Sequence, residues 1–161
     1  MASLLAHMTE TPELAVKLCC KLGKVEYLEA ILEAELGEGK EGERALFDEV
    51  TNSAHSDLLS DPLSIAITAS HKDIVTLILD QTPVDILAID AETENTYIHL
   101  ACWKTEEIYI LESLLIKLRS VLKKEEIEAF LGRKNKDGEA AIEFCSSKAK
   151  NGMSVILGGF V

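Results

Sequence analysis

The stretch Asp61-Pro62-Leu63-Ser64-Ile65-Ala66-Ile67-Thr68-Ala69-Ser70-His71-Lys72-Asp73-Ile74-Val75-Thr76-Leu77-Ile78-Leu79 decides the fold. Asp61 followed by Pro62 reads as a helix N-cap with proline in the first turn, where its missing N–H costs nothing. Apolar residues then recur at helical rather than strand spacing. A short polar break at Ser70-His71 separates this helix, Pro62 to Ala69, from a second one over Asp73 to Leu79. The segment is therefore two short helices back to back across a tight turn.

The same plan recurs on either side. Thr11-Pro12 opens a helix at Leu14 to Leu22, Gly23 closes it as a C-terminal glycine, and Val25 to Leu36 follows with Leu28, Ile31 and Leu32 on one face. Downstream, Thr96 to Lys104 is followed by Glu107 to Leu118, and Ala140 to Ser147 by a weaker Met153 to Leu157. The equivalent residues Ala15, Pro62, Tyr97 and Ala141 are 47, 35 and 44 residues apart. Against a common repeat period of about 33, the excess predicts insertions of roughly fourteen, two and eleven residues.

These units resemble ankyrin repeats. Asp61 to Ile67 follows the family pattern T-P-L-H-L-A-A, and His71 to Leu79 follows its second helix. Thr96-Tyr97-Ile98-His99-Leu100-Ala101-Cys102 matches the same element and keeps its histidine. Val16 to Leu32 matches in register with Gly23 at the inter-helix turn. Pro83 to Asp90 looks like the family connector, and Asn135 to Phe144 like the turn and first helix of a last repeat. The resemblance implies one all-α domain over 1–161, an ankyrin-like helix-turn-helix solenoid with short β-turn fingers and helical insertions. Its repeats fall at about 11–36, 60–90, 94–118 and 137–157, with insertions at 37–59 and 119–136. The turn glycine is replaced by Ser70, Thr105 and Ala149, and the third repeat carries an extra residue between its helices. Stacked helix pairs bury a continuous core that no single pair can bury alone. Small residues at Ala66, Ala101 and Cys145 permit the close approach this needs.

Within the insertions, Gly37 to Gly42 reads as a surface loop, followed by a short amphipathic piece with Leu46, Phe47 and Val50. Residues 117–136 extend the third repeat's outer helix, with a break at Lys123-Lys124-Glu125-Glu126. The apolar end, Val155 to Val161, is expected to fold back over the last repeat.

Composition narrows the function. The chain has 161 residues, 47% hydrophobic and 27% charged, which is ordinary for a globular domain. Sixteen Lys and Arg against 28 Asp and Glu give a formal charge of −12, which disfavours nucleic acid and anionic membrane surfaces. No run approaches the ~20 apolar residues of a spanning helix. Residues 1–8 make a poor signal peptide, so the expected compartment is the cytoplasm, with the nucleus by diffusion or a host cell's cytoplasm for an effector.

Catalytic and cofactor motifs are not found: no G-x-S-x-G, P-loop, H-E-x-x-H or G-x-G-x-x-G. Neither enzymatic activity, cofactor nor metal is expected. Cys19, Cys20, Cys102 and Cys145 read as reduced, mostly buried thiols without zinc spacing. A small catalytic or metal site built from Cys19, Cys20, His99 and Cys102 is the weaker alternative. The resemblance instead gives His99 a hydrogen bond to a neighbouring connector.

What the resemblance implies is non-catalytic binding of another protein by a concave groove and connector fingers, by a monomer or weak homodimer. In the repeat register the groove positions are Lys21 and Leu22, Thr68 and Ala69, Trp103 and Lys104, and Ser147 and Lys148. Trp103, the sole tryptophan, is the candidate anchor. Lys21, Lys104 and Lys148 make a basic row on an acidic protein, whereas the finger tip with Glu92 and Glu94 is acidic. A self-associating scaffold using the apolar C-terminal edge is a further alternative.

Overall fold

The computed structural model describes residues 12–36, 58–147 and 151–160. The expected amphipathic piece at Leu46, Phe47 and Val50 lies outside them, as do Lys148 and Ala149. Among the described residues there are nine α-helices and one 3-10 turn. They are α1 Pro12–Leu22, α2 Val25–Leu36, the turn Leu58–Ser60, α3 Pro62–Thr68, α4 Lys72–Gln81, α5 Tyr97–Lys104, α6 Ile108–Val121, α7 Lys124–Leu131, α8 Ala141–Ser147 and α9 Asn151–Phe160.

The helices form two layers. In the inner layer α1 packs on α3, α3 on α5 and α5 on α8. In the outer layer α2 packs on α4, α4 on α6 and α6 on α9. Each inner helix also packs against the outer helix that follows it, and α7 packs on the end of α6. The core lies between the layers. Leu28, Leu63, Ile67, Ile74, Ile78, Ile98, Leu100, Ile110, Leu111, Leu114 and Leu115 are all fully buried. Ala66, Ala101 and Cys145 are buried too, at the helix contacts where small side chains are needed.

Local chemistry explains the helix starts. The Asp61 carboxylate accepts from the Ser64 N–H at 3.0 Å, with Pro62 in the first turn. Thr96 and His99 make a reciprocal capping box at the start of α5. In the first two inter-helix turns the backbone is left-handed, at Gly23 (φ 68°) and at Ser70 (φ 59°). The third turn differs: the extra residue lengthens α5, and Thr105 is extended at φ −116°. A β-branched side chain is therefore tolerated there without strain.

The insertion after the third repeat breaks at Leu122-Lys123, where the chain is extended before α7 begins. The C-terminal stretch, expected to fold back over the last repeat, is helical as far as residue 160 and packs on α8 and α6. Residues 158–160 continue α9, with Leu157 buried and Val155 73% exposed. Gly152 marks the contact with α6, since a Cβ there would stand 2.8 Å from Ile108 Cδ1.

Candidate functional site: the inner-helix face and the fingers

On α1, Leu14, Lys17, Leu18 and Lys21 are spaced i, i+3, i+4, i+7 and so share one face. On α3, Ile65, Thr68 and Ala69 do the same. These seven residues line a cleft of about 630 Å³ between the two inner helices. Leu14 is 61% exposed at one wall, and the adjoining Leu22 is 51% exposed. The floor is aliphatic and the rim carries lysine. Lys17 is paired with Glu13 at 2.6 Å.

The end of α1 is held by the second repeat. His71 Nε2 lies 3.2 Å from the carbonyl oxygen of Lys21, one of the acceptors a helix leaves unsatisfied at its C-terminus. The imidazole passes so close to Gly23 that a Cβ there would be 2.7 Å from its Cε1. Gly23 is thus required both by its left-handed backbone and by the ring in front of it.

On α5, Trp103 is 42% exposed. The Lys104 ammonium lies over its indole, 3.4 Å from the ring centroid, as a cation–π pair. The sequence reading therefore places Lys21, Thr68 and Ala69 in one cleft, with Leu22 beside it. Trp103 and Lys104 stand on α5, outside the cleft lining. Ser147 lies at the end of α8, and Lys148 is beyond the described residues. Leu14, Lys17, Leu18 and Ile65 were not among the sequence candidates. Their i, i+3, i+4 stripe is the signal that identifies them.

The fingers span 89–96 and 134–140, each closed by an antiparallel bridge, Ile89 with Thr96 and Lys134 with Ala140. Asp90 organises the first. Its carboxylate accepts from Thr93 N–H and Thr93 Oγ at 2.7 Å each, and from the Leu58 N–H at 3.1 Å. Burial pushes its acidity toward a higher value, but the hydrogen bonds from Thr93 and Leu58 prevail and hold it below the usual carboxylate range. Neighbouring fingers are joined by Lys136 N–H to Thr93 O at 3.0 Å and by Asn135 Nδ2 to Asn95 Oδ1 at 3.0 Å. Glu92 is exposed, whereas Glu94 lies 4.0 Å from Arg133, the residue before the next finger.

The cysteines and His99 lie in the packing of the inner helices. His99 is buried, with Nδ1 accepting from the Thr96 N–H at 3.3 Å and Nε2 3.2 Å from the Glu139 carbonyl. That arrangement makes Nε2 the protonated nitrogen, and it is the link to a neighbouring connector that the resemblance implied. Burial holds its basicity below the ordinary histidine range. The expectation of four reduced cysteines is corrected: Cys102 and Cys145 form a disulfide, their Cα atoms 5.2 Å apart. Inner helices packed through small residues bring these two positions within bridging distance. Cys19 and Cys20 are free and buried on α1, with α3 between them and α5. Burial, with Cys19 and Asp61 nearby, pushes the Cys20 thiol up to about 12, so it is no nucleophile at neutral pH. Among the described residues no group of three or more His, Cys, Asp or Glu could hold a metal ion. Among them, too, no helix is long and apolar enough to cross a membrane.

No protein-family model and no curated protein sequence matches the chain. Among solved structures it is similar to the ankyrin repeat domain of Bcl-3, a member of the IkappaB protein family, at TM-score 0.62 and 18% identity. The likeness covers 89% of this chain and 54% of that one, so the chain spans about half the length of that structure. The fold is an ankyrin-repeat solenoid.

Proposed function

We propose that this solenoid is a non-catalytic interaction module that binds another protein through the face of its inner helices and through its fingers. The residues are Lys21, Leu22, Thr68 and Ala69 around the cleft, Trp103 and Lys104 on α5, Ser147 and Lys148 at the last repeat, and Glu92 and Glu94 on the finger. The observation that carries this reading is the exposed aliphatic and aromatic surface on the inner face: Leu14, Leu22 and Trp103. A folded chain gains nothing by leaving such side chains in water, and exposed apolar surface of this kind marks candidate binding surfaces. A Trp or an aliphatic residue covered by a partner is worth far more there than rim charges are. The setting we propose is cytoplasmic, where the thiol pool would decide how much of the Cys102–Cys145 pair is closed.

The test is immobilisation of the wild-type chain beside three variants shown to be folded. Ile65→Arg fills the cleft, Trp103→Ala removes the indole, and Ile116→Arg alters the exposed outer face of α6 as a control. A protein retained by wild type and by Ile116→Arg, but lost from Ile65→Arg and Trp103→Ala, supports the reading. Retention by all four overturns it.

A further inference from the structure

Resting on that reading, we infer that the partner presents an acidic segment with bulky apolar side chains, the apolar groups entering the α1–α3 cleft and the carboxylates meeting Lys21 and Lys104. The argument is the distribution of charge. The protein is strongly acidic, with a formal charge of −12. Yet α1 carries Lys17 and Lys21 against Glu13 alone, α3 carries no charged residue, and α5 carries only Lys104. The first outer helix is the opposite: α2 holds Glu26, Glu29, Glu33 and Glu35 with no base. The inner face of the first three repeats is thus a positive strip on a negative body. On a protein that is acidic in total, an acidic partner is favoured at such a face, which gives register as well as encounter rate.

The individual groups fit this division. Lys17 is committed to Glu13, so its charge is already balanced. Lys21 makes no ion pair among the described residues, and its backbone is pinned by His71. Lys104 is held over the Trp103 ring, which fixes its position without cancelling its charge. Lys21 stands in the lining of the cleft with the aliphatic Leu14, Leu18, Ile65 and Ala69, and Lys104 stands on α5, beyond α3. At about 630 Å³ the cleft is within the range of pockets that enclose a small ligand, so it takes more than one side chain.

Reach sets the length of the segment. With α3 between α1 and α5, and packed helices 8–10 Å apart, the two cations stand on helices about 16–20 Å apart. An extended chain rises about 3.3 Å per residue, so about five or six residues bridge them. The segment therefore reads as two acids about five or six residues apart, with apolar residues beside the one that meets Lys21.

The test is selection of a displayed library of random 16-residue peptides on the immobilised full chain, followed by affinities of the enriched peptides by fluorescence anisotropy. The inference expects enriched peptides with an excess of Asp and Glu flanking Leu, Ile, Phe or Trp. Their affinity falls at least tenfold on the Lys21→Glu, Lys104→Glu double variant, and it weakens between low and high salt. Enriched peptides that are neutral or basic, yet lose binding on Ile65→Arg, overturn the acidic partner and leave the groove reading standing. Peptides indifferent to Ile65→Arg and to the double charge reversal overturn both. No enrichment, or capture only of a second copy of the chain, overturns the acidic segment as partner.

Discussion

Tyr97 donates its phenolic hydrogen bond across the second inner-helix contact to the buried carboxylate of Asp61, at 3.1 Å. Asp61 also accepts from the Ser64 N–H and Ser64 Oγ, each at 3.0 Å. The helix cap of one repeat is thereby joined to the first turn of the next. No positive charge is among the causes that shift Asp61, and desolvation outweighs its hydrogen bonds, raising it to about 6.

That elevation has a definite sign in stability. Between about pH 4 and 6 the folded state holds a proton on Asp61 that the unfolded chain has released. Stability contributed by this group therefore falls as pH rises through that window and is level above it. The size is on the order of 2–3 kcal/mol for a shift from 3.8 to about 6. Asp61→Asn, which cannot ionise, is expected to lack this slope and to match or exceed wild type at pH 7. Urea midpoints of both proteins from pH 4 to 7 check it, and parallel curves would refute the assignment. Asp90 is held low, so its contribution is lost only as pH falls below the ordinary carboxylate value, outside this window.

Gly23 and Gly138 are both left-handed, but only Gly23 faces a side chain. Gly138→Ala meets nothing within 4 Å and should cost about 1 kcal/mol for the backbone alone. Gly23→Ala adds displacement of the His71 ring and loss of its bond to Lys21, for about 2–3 kcal/mol. In Gly23→Ala, His71→Ala the two losses should sum to more than the measured total, because they share one interaction. Chemical denaturation of the four proteins decides it.

The ankyrin architecture was legible because Asp61-Pro62 and Thr96 announce helix starts and because apolar periodicity locates the second helices. What lay beyond the sequence depends on contacts between repeats. Periodicity assigns Leu14 and Leu18 to an apolar stripe but does not say that α3 leaves that stripe open as a cleft wall. Spacing along the chain does not disclose that Cys102 and Cys145 meet, since they are 43 residues apart and become neighbours only when α8 packs on α5. Asp61 was read as a cap, which it is. Its burial under Tyr97 follows from the next repeat, not from its own helix.

The Cys102–Cys145 bridge closes a loop of 43 residues in the unfolded chain. On the chain-entropy account this is worth about 4 kcal/mol, and measured bridges usually give about 2–4. A reductant is therefore expected to lower the thermal midpoint of wild type and of the Cys19→Ala, Cys20→Ala protein alike. The Cys102→Ala, Cys145→Ala protein should be insensitive to it. Non-reducing peptide mapping, which should recover one linked peptide, provides the direct check.

Trp103 offers a reading of its own surroundings. It is the sole tryptophan and is substantially exposed, so its emission should be quenched efficiently by neutral acrylamide. The Lys104 ammonium over the ring gathers anions at the indole face. Iodide should therefore quench wild type more strongly than its acrylamide accessibility alone implies. Lys104→Ala should lower the iodide constant while leaving acrylamide quenching equal or greater, and added salt should narrow the difference between the proteins. Trp103→Ala should cost on the order of 2–3 kcal/mol of stability, since more than half of the indole is removed from water although Trp103 is 42% exposed. An indole that acrylamide quenches no better than a fully buried one would mean that Trp103 is core, and the inner-face reading of α5 would fall with it.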